Sequence, residues 1–151
     1  FSQKYDFAQF EELYKAEQSQ LQAIKQLAKK YDIENPAAKK DVGQFKNPEI
    51  QQFYDEFLKQ GNKNLEEALK ASSKAEEVAI QIYLRSIDGA EKADTKFVFE
   101  QLNIAAKNHL RLLAETLEEK EVDYKPEHLD QPDYNRIIHS SLEPRPWWRF
   151  W

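Results

Sequence analysis

The sequence predicts an all-α protein: three long helices and one short connecting helix in a bundle, followed by an extended C-terminal tail. Two observations carry this. Apolar residues recur at spacings of three and four over three long stretches. The composition, with 32% charged residues and three Gly in 151 residues, is that of a helical protein.

Helix one is predicted from about Asp6, a candidate N-cap, to Tyr31. Its stripe is Phe10, Leu13, Tyr14, Leu21, Ile24, Leu27, Ala28 and Tyr31. Asn35-Pro36 resists continuation, and residues 32–46 read as a loop with Gly43 as its turn residue. Asn47-Pro48 opens the short helix two, which carries Ile50, Phe53, Tyr54, Phe57 and Leu58, with Gly61 as the expected C′ residue. Asn64 with Glu67 is a near capping box for helix three. Its stripe is Leu65, Ala68, Leu69, Ser72, Ala75, Glu76, Ala79, Ile80, Tyr83 and Ile87, and Asp88-Gly89 ends it. Asp94 is the expected cap of helix four, whose stripe runs from Val98 through Leu102, Ala105, Ala106, His109, Leu110, Leu113 and Thr116 to Leu117. Beyond Val122, Pro126, Pro132, Pro144 and Pro146 break the pattern, leaving room for a helical turn near Tyr134–His139. The expected organisation is a bundle over 1–121 and an extended tail over 122–151, packed on the bundle or on a partner.

Several function classes drop out. A net charge of −5 with no Arg/Lys stripe argues against nucleic acid as a partner. There is no apolar run of membrane-spanning length. The chain has no Cys, hence no disulfide or thiolate metal site. It has no Met, so Phe1 is expected to follow a removed or unobserved segment, which favours an extracytoplasmic (periplasmic or secreted) setting. His109, His128 and His139 have no nucleophile at motif spacing and no phosphate-binding Gly loop is present, so the reading leans away from an enzyme.

What stands out is polarity inside apolar stripes: Glu17 and Gln20, Ser72 and Glu76, then His109. A buried carboxylate must be paired, protonated or metal-bound. Glu17, Gln20, Glu76, His109 and, for a rotated helix, Glu77 therefore form the candidate metal or buried polar site. Bundles with paired metals use inward Glu residues and Glu-x-x-His pairs. Here Glu17-x-x-Gln20 ends in the wrong residue, and Ala106 stands three before His109. The alternative is a hydrogen-bonded network pairing Glu17 or Glu76 with Arg111, Arg85, Lys107 or His109.

The runs from Phe10 to Gln18, Gly43 to Tyr54 and Gly61 to Leu69, together with Glu76-Glu77 and Asn108 to Arg111, resemble a ferritin-like helical-bundle family catalogued as a domain of unknown function. The resemblance spans about Phe10 to Lys125. It implies a ferritin-like bundle with an interior site, with a periplasmic or extracellular setting in many members. The family's pattern has His where this chain has Gln20, and it begins with an acidic helix absent here. Three long helices would then leave a groove where the fourth would lie.

All three Trp lie in the last five positions: Trp147, Trp148 and Trp151, with Phe150 among them and Arg145 and Arg149 alongside. Trp and Arg anchor interfaces. The leading expectation is a degenerate ferritin-like bundle acting as a binding or structural/assembly component, with this tail contacting a protein partner or a second copy. It carries no cofactor on this reading. The alternative is a metal-binding, di-iron-like oxidoreductase or metal-storage protein holding Fe or another divalent metal. A third reading is a peripheral protein at a membrane interface, where Trp is favoured.

Overall fold

Two asparagines begin helices as their side chains predict. Asn47 Oδ1 accepts from the N–H of Glu49 (2.8 Å) and Ile50, with Pro48 at the first helical position. Asn64 Oδ1 accepts from Glu67 N–H at 2.8 Å. In the computed structural model, which describes residues 1–35 and 41–142, the order is α1 (Ser2–Tyr5), α2 (Ala8–Lys30), α3 (Pro48–Gly61), α4 (Leu65–Asp88), α5 (Ala93–Glu119) and α6 (Gln131–Ile138). No strand occurs among the described residues, so the chain is all-α.

Shared clusters set the helix directions. Phe10 and Leu13 of α2 meet Ala68 and Leu69 of α4 and Leu113 and Leu117 of α5 at one end. Ala23 meets Val98, Leu102 and Ala105 at the other. Hence α2 and α4 run parallel, joined by the crossover containing α3, and α5 runs antiparallel to both. Leu69, Ile80, Leu102, Leu110, Leu113 and Leu117 are fully buried, and all belong to α4 and α5. At roughly 1.5–3 kcal/mol for each such side chain, this hairpin holds most of the core energy.

By contrast α2 is attached lightly. It buries Phe10, Leu13, Gln20 and Ala23, whereas Tyr14, Leu21 and Ile24, expected inside, are exposed (Tyr14 54%). The inward face is rotated from the expected one: among the described residues α2 packs on α1 and α5 and meets α4 through Phe10 and Leu13, which leaves Tyr14, Leu21 and Ile24 outside. Both its ends are pinned instead. At the start, Phe1 stacks near Phe57 and Phe10, with ring centroids 4.8 and 5.7 Å away. At the finish, Lys30 and Tyr31 both reach Asp94, the tyrosine at 2.7 Å.

Several expected boundaries move. The cap of α2 is Phe7, because Asp6 adopts a left-handed conformation (φ 45°) ending α1. The cap of α5 is Lys92, and Asp94 sits in the first turn serving Lys30 and Tyr31. Gly61 is the last residue of α3 rather than a C′ residue, and Asn62 caps the helix in a right-handed conformation. Its need for glycine is steric: a Cβ there would lie 1.9 Å from Phe1 Cζ. Gly43, with φ 84°, is the turn residue expected of it, and its carbonyl accepts from Gln51 Nε2.

The packed body does not end at 121. Residues 122–130 return along α4, and α6 lies on α5 with Tyr134 and Ile137 buried against Ile80, Ala106 and Leu110. The segment from 122 to Ile138 thus packs on the bundle, one of the two placements expected for it, while Leu142 is exposed. The expected contact residues Arg145, Trp147, Trp148, Arg149, Phe150 and Trp151, like Pro36, lie outside the described residues.

Two outcomes follow. Gly61→Ala must displace Phe1 and should cost about 1–3 kcal/mol in denaturant unfolding. Asp94 is held by Lys30, then Tyr31, well below the usual carboxylate range, at about 2. Its folded value lies below its unfolded one, so its contribution is complete above about pH 3.8 and is lost as pH falls to about 2. Asp94→Asn should therefore lower the Tm at neutral pH, and the gap between the two proteins should narrow across that acid window.

Candidate functional site

Midway between the two apolar ends, three long helices bring titratable side chains together. His109 of α5 places Nδ1 3.2 Å from Glu17 Oε1 of α2 and 3.2 Å from Glu76 Oε1 of α4. One ligand atom from each residue lies within 4.8 Å of the others. Gln20, buried one helical turn beyond Glu17, donates from Nε2 to Glu17 Oε1 at 2.8 Å. It fixes the carboxylate's rotamer and faces it as a donor. His109 and Glu76 are nearly buried, while Glu17 is half exposed at the edge of a cleft of about 300 Å³ that also includes Ser72, Ala75 and Ala79.

The charges are unbalanced. Burial works against an imidazolium at His109, but Glu76 and Glu17 outweigh it and push the group up to about 10. Burial also pushes the Glu76 carboxyl up; the His109 charge opposes this and Glu17 adds to it. With His109 protonated, one positive charge faces two carboxylates. Tyr83, from the next turns of α4, is raised by burial and then by Glu17 and Glu76, so its hydroxyl stays protonated beside the site. As an aromatic in an apolar stripe it gave no sequence signal of that position.

Four of the five expected site residues are therefore assembled: Glu17, Gln20, Glu76 and His109. Glu77 is not among them. It is fully buried on the neighbouring face of α4, where its carboxylate accepts from Tyr124 Oη (2.6 Å) and from the backbone N–H of Glu127, His128 and Leu129 (3.0, 2.7 and 3.0 Å). It organises the 124–129 segment. Burial, then Glu77, raises the Tyr124 phenol, and Tyr134 is pushed up to about 12 by the same two causes. Of the expected pairings for Glu17 and Glu76, His109 is the one formed. Arg111 instead donates to Ile137 O, Ser140 Oγ and Asn108 Oδ1, closing the C-terminal end of α6.

The residues fit a single divalent ion. Ligands about 2.0–2.1 Å from a metal sit about 2.8–3.0 Å apart when adjacent in an octahedron and about 3.3–3.4 Å apart in a tetrahedron, and the two carboxylate oxygens each lie 3.2 Å from His109 Nδ1. Two carboxylates with a neutral imidazole also balance a charge of +2. Among the described residues no second group of three ligating side chains adjoins it: Ala106, buried against Leu110 and Ile80, and Gln20 stand where the Glu-x-x-His pattern would need a ligand.

A family model described as an uncharacterized protein domain (DUF2202) matches residues 2–141. The chain belongs to this family. An uncharacterized protein of Methanocaldococcus jannaschii, MJ0754, is 30% identical to this DUF2202 chain over 140 residues, covering 93% of it and 76% of the relative. The crystal structure of the hypothetical protein MJ0754 matches it with a TM-score of 0.88 at 30% identity, covering 94% of this chain and 81% of that one. The relatives thus share the helical fold described above. No helix among the described residues is long and apolar enough to cross a membrane.

Because Glu77 satisfies consecutive backbone donors, Glu77→Ala should cost about 3 kcal/mol or more, the scale for losing several hydrogen bonds to a buried charge. Hydrogen exchange should show the amides of 127–129 losing protection.

Proposed function

We propose that this DUF2202 domain is a ferritin-like bundle reduced to one metal site, binding a divalent transition ion through Glu17, Glu76 and His109. The observation that carries the reading is the convergence of one imidazole and two carboxylates, from three different helices, with one ligand atom of each within 4.8 Å of the others. The helix order supports it: two parallel long helices joined by a crossover, with an antiparallel partner, and the polar residues midway along all three. Imidazole with carboxylate suits Fe, Mn or Zn.

Gln20 holds the Glu17 oxygen in place, and the cleft beside Glu17 gives a small molecule access from solvent. Bound there, the ion would act as a Lewis acid toward such a molecule. Ser72 and the exposed Tyr14 line that cleft and carry hydroxyls able to donate a hydrogen bond there.

Metal analysis of protein purified without chelator, followed by titration with Zn²⁺, Mn²⁺ or Fe²⁺, tests the reading. One ion per chain is expected, with binding lost in His109→Ala and weakened at least tenfold in Glu76→Gln, the scale of losing one ligand. His109 holds its proton below about pH 10, so binding at neutral pH should release about one proton, measurable by calorimetry in buffers of different ionisation enthalpy. If no ion binds stoichiometrically and the His109 imidazole signals are unmoved by Zn²⁺, the cluster is an ion-paired core and the metal reading is wrong.

A further inference from the structure

Two clefts of ligand size differ in what they offer. The wider, about 870 Å³, lies between the C-terminal half of α5, residues 121–124 and α6, and the exposed carboxylates of Glu115, Glu118, Glu121 and Asp123 line it. Among the described residues, the one group of three side chains placed to hold an ion is elsewhere, at Glu17, Glu76 and His109. The narrower cleft, about 300 Å³, opens directly onto that group, with Glu17 and Glu76 in its wall.

The shape of the narrower cleft follows from helix register. Phe10, Leu13, Tyr14 and Glu17 recur at three and four along α2, so they share one face. Ser72, Ala75, Glu76 and Ala79 do the same along α4. The two helices run parallel, so these faces form a trough with the carboxylates at one end. From Phe10 to Glu17 its length is roughly 10 Å, at about 1.5 Å per residue. The rings of Phe1 and Phe57 line the other end, 4.8 Å apart, with Phe10 beside Phe1. Ser72, Ala75 and Ala79 are short and half-buried, so α4 leaves the space between unfilled.

The walls also set the charge of an occupant. Besides the two carboxylates, the polar side chains lining the trough are the hydroxyls of Ser2, Tyr14 and Ser72, and no Lys or Arg is among its described lining residues. A divalent ion held by two carboxylates and a neutral imidazole leaves no net charge there. An anionic head group would therefore enter without a partner, at a desolvation cost. Three protein ligands leave an ion at least one further coordination position.

Resting on the metal reading above, we propose that this trough takes a small aromatic molecule bearing a neutral nitrogen or oxygen donor. The donor displaces solvent from the ion, and the ring lies against Phe1, Phe10 and Phe57. Contacts with three aromatic side chains recognise the ring, and the length of the trough limits the ligand to about one ring beyond its donor.

Co²⁺ makes the site visible, because its d–d absorption changes with the ligand set. Protein loaded with Co²⁺ is titrated with 1-phenylimidazole, 1-butylimidazole and 1-methylimidazole, which share one donor nitrogen. 1-Phenylimidazole is expected to change the visible spectrum and to bind about tenfold or more tightly than either of the others, the scale of burying one ring. Ala75→Leu and Ser72→Leu, made separately, each fill the trough. Co²⁺ binding should persist in them and the preference for the phenyl compound should disappear; if one variant loses Co²⁺, the other decides. Binding of either non-aromatic probe as tightly as 1-phenylimidazole overturns this inference and leaves the metal reading standing. A preference that survives the substitutions does the same. Failure of the unaltered protein to take up Co²⁺ overturns the metal reading and this inference with it.

Discussion

The carboxylate of Glu77 is the contact on which the C-terminal third of the described fold depends. Three consecutive backbone N–H groups, Glu127 to Leu129, would otherwise be left without helix or strand partners where the chain turns back. One buried anion accepts all three and the Tyr124 hydroxyl as well. With that turn anchored on α4, α6 is delivered onto α5 so that Tyr134 and Ile137 cover Leu110 and Ala106. Arg111 then fixes the far end through the Ile137 carbonyl. Both charges are buried, and each is matched by several hydrogen bonds, the condition under which a buried ionic group stabilises rather than destabilises.

Glu76 and Glu77 are adjacent, yet they do opposite work, because one residue along a helix is a rotation of about 100°. Glu77 faces the returning chain and has its full complement of donors. Glu76 faces α2 and α5, where its partners are His109 and, less favourably, Glu17. The adjacent pair is possible because α4 is enclosed on more than one side, by α3, by α5 and by the 124–129 segment. The light attachment of α2 completes the interior site: the exposed flank that carries Tyr14 also leaves Glu17 half exposed, so the cluster has a buried wall and an open edge.

Much of this was legible from residue spacing. Periodicity and capping side chains located the three long helices and α3, and polar residues in apolar stripes singled out Glu17, Gln20, Glu76 and His109, which do converge. What was not legible depended on contacts distant in sequence. Nothing near Gly61 shows that Phe1 will press against it, so a glycine near a helix end reads as a C′ residue. Asp94 looks like a cap until Lys30 and Tyr31 are seen to claim it. The outward flank of α2 follows from which neighbours it packs on among the described residues, which a helix's own periodicity cannot express. Glu77 read as an alternate ligand because a stripe model assumes a single buried face, and α4 has more than one.

Carboxylates are concentrated in two settings here, and burial makes the two electrostatically different. At Glu17 and Glu76 the low-dielectric surroundings strengthen both their mutual repulsion and their attraction to the His109 imidazolium. Along the cleft by α5 and α6, solvent and salt screen Glu115, Glu118, Glu121 and Asp123, so charge alone gives little affinity. Dielectric environment, more than residue type, thus separates the two sets of carboxylates.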